Sequence, residues 1–144
     1  MRDAVGGSLL LNIIVIFTSI IILLFAGILA YSKAYKIKNR IIEVIEKHEN
    51  YNETVVNELS EDLRKSGYIV ATKAQIDAKC GTTSGNLNED GGYLYCVYEK
   101  SGIGAGAKTY EVVTYIHFDF PVIGDMLTFA VKGETKTLGK KYDY

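Results

Sequence analysis

The chain has 144 residues, a formal net charge of -1, no Trp, one Pro and two Cys. That length leaves room for one soluble domain of about 100 residues beside a single apolar segment. The near-zero charge excludes the basic field that a nucleic-acid backbone requires, so no nucleic-acid partner is expected.

Residues 1–8 read Met-Arg-Asp-Ala-Val-Gly-Gly-Ser, a short polar lead. Residues 9–32 follow as an apolar run, and no charge occurs between Asp3 and Lys33. An apolar helix needs roughly 20 residues to cross a hydrocarbon core about 30 Å thick. A secretory signal has a shorter apolar region, and Tyr31-Ser32-Lys33-Ala34 does not match its small-residue cleavage site. The run reads as a retained transmembrane helix, with membrane lipid as its first partner. Asn12 is the sole amide in the run and falls a turn or so inside the bilayer. Ala26, Gly27 and Ala30 offer small surfaces on which another helix can approach closely.

Helical spacing continues through residues 33–49. Ile37, Ile41, Val44, Ile45 and His48 form one stripe, and Lys36, Arg40, Glu43 and Lys47 form its charged flank. No Pro or Gly interrupts Ile28 to Glu49, so one helix is expected from about Leu9 to about Lys47, about 60 Å at 1.5 Å per residue. Its second half needs an apolar partner, most simply the domain formed by residues 50–144.

In that domain Asn52 suits an N-cap, a helix is expected over Glu53–Ser66, and Gly67 stands where a left-handed terminal residue belongs. Val55, Val56, Leu59 and Leu63 share its apolar face. Tyr68–Thr72 reads as a short strand, Cys80–Gly92 as a glycine-rich loop, and Tyr93–Tyr98 as a strand. The run Lys100–Ala107 is glycine-rich but lacks the G-x-x-x-x-G-K-[ST] pattern and a following helix, so it reads as a long hairpin loop and not a phosphate cradle. Thr109–Phe120 is the clearest strand. Tyr110, Val112, Thr114, Ile116, Phe118 and Phe120 share one face, and Glu111, Tyr115, His117 and Asp119 the other, with Val113 the exception. Such alternation predicts a sheet packed on one side. Pro121 ends the strand, Ile123-Gly124-Asp125 makes the turn, and Leu127–Thr137 alternates again, Leu127, Phe129 and Val131 inward. The tail from Leu138 is expected to be loose. The expected fold is α+β: a long N-terminal transmembrane helix continuing into a small domain with one short helix and a three-stranded antiparallel sheet.

Cys80 and Cys96 fit one disulfide in an oxidising compartment, where closing the loop contributes on the order of 3 kcal/mol. The other reading is two reduced thiols in a cytoplasmic domain. The two Cys with His48 and His117 have no zinc spacing, no catalytic Ser-His-Asp or Cys-His set is present, and no cofactor is expected. His48 and His117 read as a rim residue and a solvent-facing strand residue.

The C-terminal stretch Val112-Val113-Thr114-Tyr115-Ile116-His117-Phe118-Asp119-Phe120-Pro121-Val122-Ile123, followed after a short gap by Leu127–Lys136, is similar to the closing strands of the TadE family, pseudopilins of tight-adherence pili. Arg2, the apolar helix, and Tyr31, Tyr35 and Asn39 beyond it also resemble that family and type IV pilin-like subunits in general. The likeness covers both ends of the chain and skips about Asn50 to Tyr93. It implies a non-enzymatic filament subunit stored in the membrane of a bacterium, with like subunits and pilus assembly machinery as partners and the C-terminal domain extracytoplasmic. The lead then reads either as a plain cytoplasmic stub or as a leader of the prepilin kind cut at a glycine, and a cut after Gly6 would leave Leu11 fifth in the mature chain. Cleavage between Gly7 and Ser8 would leave Asn12 fifth in the mature chain, where the family has Glu. Two other functions fit the same layout: a surface-anchored binding or accessory protein, and a cytoplasm-facing adaptor. The last is favoured by Lys33, Lys36, Lys38 and Arg40 just after the apolar run, under the positive-inside rule.

Overall fold

The computed structural model describes residues 2–81, 85–88, 92–104, 106–117 and 128–139. Helix α1 (Arg2–His48) is unbroken. No Pro stops it, and once nucleated a helix gains one hydrogen bond per residue added. It therefore takes in the polar lead, Gly6 and Gly7 included, and begins seven residues before Leu9. It ends where Glu49 takes a left-handed φ of 53°.

Helix α2 (Glu53–Ser66) folds back on α1 with the expected caps. The Asn52 side chain accepts a hydrogen bond from Val55 N at 3.1 Å, and Gly67 adopts φ 59°, which costs a residue with a Cβ more than it costs Gly. Val55, Leu59 and Leu63 pack with Ile37, Ile41, Val44 and Ile45 of α1, all buried. Ion pairs border this seam, Arg40 to Asp62 at 2.7 Å and Lys47 to Glu58 at 2.9 Å, with a hydrogen bond between His48 Nε2 and Glu58 at 2.8 Å.

The sheet is the expected meander. Strands β3 (Tyr95–Ser101), β4 (Lys108–His117) and β5 (Thr128–Glu134) pair antiparallel in that order. Tyr110, Val112, Thr114 and Ile116 of β4 face α1, and the buried Thr114 hydroxyl donates to Ala34 O at 3.1 Å. At Gly133 a Cβ would stand 2.8 Å from Lys38 Cδ and 3.0 Å from Ile42 Cδ1, so β5 lies close against α1 where it has no side chain. The glycine-rich connection between β3 and β4 is a hairpin loop, with Gly102 N donating to Ala107 O at 2.8 Å.

Other features depart from the sequence reading, and Phe129, expected to face inward, is 54% exposed near the start of β5. The strand expected over Tyr93–Tyr98 is two strands: β2 (Gly92–Tyr93) pairs with β1 (Val70–Ala71), and β3 pairs with β4. A third helix, α3 (Lys73–Cys80), follows β1, and Gln75 Oε1 reaches back to Thr72 N at 2.9 Å as in a capping box. The sheet is covered on both sides, because α3 packs Ile76 and Cys80 against Cys96, Val113 and Tyr115 on the face opposite α1. Leu138 is not loose: it is buried in the main core, and its backbone exchanges hydrogen bonds with Lys108 at 2.8 and 3.0 Å. The expected strand end at Phe118–Pro121, the turn at Ile123–Asp125, Leu127, the His117 side chain and residues 140–144 lie outside the described residues and side chains.

Candidate functional site

The largest exposed apolar surface among the described residues belongs to α1. From Leu9 to Leu29 its large apolar side chains are open on nearly every side, and among the described residues of the domain none covers them. This is the one helix, among the described residues, long and apolar enough to cross a membrane. Its hydroxyls are satisfied within the helix. Thr18 Oγ1 donates to Ile14 O at 2.6 Å, and Ser19 Oγ donates to Val15 O at 2.7 Å. A hydroxyl in hydrocarbon needs such a partner. Asn12 is exposed in the same stretch, and Gly7 and Ser8 are exposed within the first turns of the helix.

Ala26, Gly27 and Ala30 are half-buried and continue the line of Ala34, Ile37 and Ile41 that meets the sheet. The structure divides this set. Ala30 packs against the cluster of Ala34, Ile116 and Val131 in its own domain. Ala26 and Gly27 lie below it on the uncovered half.

The junction between helix and domain is built around Tyr68, which the sequence reading placed only in a strand. Its hydroxyl donates to Leu94 O at 2.8 Å and accepts from Tyr115 N at 2.9 Å. Burial pushes its ionisation above the ordinary tyrosine range. Beside it lies an open groove of about 380 Å³, with Ala30, Lys33, Gly67, Ile69 and Ile116 among its walls. A second groove of about 240 Å³ continues from Ile69 past Val70 and Leu94 to Lys79 and Thr128.

Three of the four cations after the apolar run have partners within the fold. Lys33 Nζ donates to Gly67 O at 2.8 Å, and Lys38 is buried with its ammonium 4.2 Å above the Tyr35 ring. Arg40 binds Asp62 and Glu43, and these carboxylates hold its guanidinium above its usual range. Glu58 is held below the carboxylate range by hydrogen bonds from His48 and Lys47.

Cys80 and Cys96 are joined in a disulfide with Cα atoms 5.7 Å apart, buried between α3 and the sheet. Two asparagines that the sequence reading passed over share the task of tying the loop. Asn86 Oδ1 accepts from Val97 N at 3.0 Å, and Asn88 Nδ2 donates to Tyr95 O at 2.6 Å. Their spacing of two was the only signal in the sequence, and between them Leu87 N donates to Val97 O at 2.8 Å. The arrangement offers a long apolar binding surface, a rigid junction and a braced domain. Comparison of the chain with family models, with curated proteins and with solved structures gives no match.

Proposed function

We propose that this chain is a non-enzymatic, single-pass membrane subunit that assembles with like subunits into a bacterial pilus or secretion-type filament, its domain on the extracytoplasmic side. One observation carries the proposal. The same unbroken helix is an uncovered apolar rod over its first half and the spine of the domain over its second. A plain anchor needs only the first half and a linker. A helix that passes without a break into the core fixes the domain relative to the rod, which regular stacking of copies requires. The apolar surface that faces lipid in the stored state would face neighbouring helices in a filament, with Ala26 and Gly27 as close-approach points.

Two observations support the outward side. The buried disulfide belongs in an oxidising compartment. Of the four cations that by their position argue for a cytoplasmic domain, Lys33, Lys38 and Arg40 have a partner in the fold that accounts for their presence, and Lys36 keeps its place in that argument.

The test uses the full-length chain in cells of a pilus-bearing bacterium, with Gly27→Cys for cross-linking and an impermeant maleimide for topology. A filament subunit gives a ladder of cross-linked copies, appears in the sheared surface fraction, and exposes native thiols to the reagent only after impermeant reductant. Retention in the membrane without a ladder would leave a surface-anchored binding protein. Native thiols reactive only in broken cells would place the domain inside and support the adaptor.

A further inference from the structure

We propose that the end of the domain nearest the apolar half of α1 is seated in the lipid headgroup layer, with Val70 and Phe129 as its apolar contacts. This rests on the reading of α1 as a membrane helix. At 1.5 Å per residue, Leu9 to Leu29 spans a hydrocarbon core of about 30 Å, and the headgroup layer adds about 5–7 Å on each side. That layer therefore coincides with about Ala30 to Ala34. The domain already touches α1 at this height. Ala30 packs on Ile116, Lys33 binds Gly67 O, and Ile69 shares a groove with both Ala30 and Lys33.

Two domain residues at this end carry much of their surface in the open. Val70, next to Ile69, is 74% exposed. Phe129, opposite Ile116 in the β4–β5 ladder, is 54% exposed. Around them stand groups suited to a membrane interface. Tyr31 and Tyr35 are exposed and stacked with ring centroids 6.3 Å apart, as amphipathic rings do at headgroup level. Lys36 and Lys79 give exposed cationic ends on flexible apolar stems, which complement lipid phosphates, and Lys79 also donates to Thr128 Oγ1 at 3.2 Å. The surface is continuous with the lipid-facing rod, so a bilayer meeting the rod meets this face too. The β3–β4 loop, with Ile103 at 85% exposure, lies at the other end of the strands, beyond the Ser101–Lys108 pair.

The absence of Trp from the chain makes the test direct. Single-tryptophan variants Val70→Trp, Phe129→Trp, Leu24→Trp and Ile103→Trp of the full-length chain are reconstituted in vesicles of phosphatidylcholine and phosphatidylglycerol, with lipids brominated at shallow or deep acyl positions. The proposal expects blue-shifted emission from Val70→Trp and Phe129→Trp that loses the larger part of its intensity to shallow bromine. Ile103→Trp should remain unquenched, and Leu24→Trp should be quenched by deep bromine. Val70→Trp and Phe129→Trp emitting like Ile103→Trp, while Leu24→Trp is quenched, would overturn the seating and leave the membrane helix standing. A blue shift without quenching that disappears on dilution into more lipid would mean that a second copy covers this face, and would also overturn it. An unquenched Leu24→Trp would refute the membrane helix itself.

Discussion

Replacing Tyr68 by Phe removes one oxygen from the centre of the domain, and that oxygen stands in for a missing rung of the sheet. The β3–β4 ladder ends at Tyr95 opposite Thr114, because Leu94 turns away and donates its N–H to Ile69 O at 3.0 Å. The next donor on β4, Tyr115 N, gives its hydrogen to the Tyr68 hydroxyl, which passes one on to Leu94 O. Phe keeps the ring and strips both backbone groups of that partner. A buried polar group left unsatisfied costs about 1–3 kcal/mol, and the carbonyl is the cheaper of the two, so the pair amounts to about 2–4 kcal/mol. A domain of this size has about 5–15 kcal/mol in all. The expected drop in Tm is on the order of 10 °C or more. The assay is thermal and urea unfolding of the full-length chain in detergent micelles, followed by the near-UV circular dichroism of the buried tyrosines. A Tyr68→Phe protein within about 0.5 kcal/mol of the parent would refute the reasoning, since the strand break would then be satisfied without the hydroxyl.

The half-buried Tyr51 and the buried Tyr95, with hydroxyls 3.0 Å apart, make the contrasting case. Tyr51→Phe alone should cost about 1–3 kcal/mol by stranding the Tyr95 hydroxyl, and the double change Tyr51→Phe with Tyr95→Phe should recover most of it in the same unfolding assay. Changing Cys80 and Cys96 together to Ser should lower stability by about 3 kcal/mol for a sequence separation of 16, measured against the oxidised parent. Burial raises the ionisation of Tyr51, Tyr68 and Tyr95 above the ordinary value of 10.0. Above that value the unfolded chain loses these protons while the folded chain keeps them, so stability should be level through neutral pH and fall as pH rises past about 10. A phenolate absorbance titration should show the late-ionising tyrosines becoming normal only on unfolding.

The sequence by itself determined the elements whose causes are local. An apolar run of membrane length needs no tertiary partner to be helical. The stripe from Ile37 to Ile45, the Asn52 cap, the left-handed Gly67 and the alternation along β4 are read from neighbours within a few residues, and the structure has all of them. With two Cys the count names Cys80 and Cys96 as the one possible pair, but it left reduced thiols open, and the bond is seen only in the fold. Tertiary structure decided what depends on distant groups. Alternation along β4 marked its two faces correctly, but nothing within a few residues of Val113 and Tyr115 shows that α3 will cover them. The division of Tyr93–Tyr98 at Leu94 is set by β1 competing with β4 for the same strand, and Tyr68 supplies the hydroxyl that makes the break tolerable. Leu138 reads as tail until Lys108, thirty residues earlier in the chain, provides its backbone partner. Lys33, Lys38 and Arg40 look in sequence like a topology signal, and only the folded chain places a carbonyl, a ring and a carboxylate against them. The same holds for the face at Val70 and Phe129. Those residues are 59 positions apart, and the end of the domain they share exists only once the sheet has closed over α1 at Ala34.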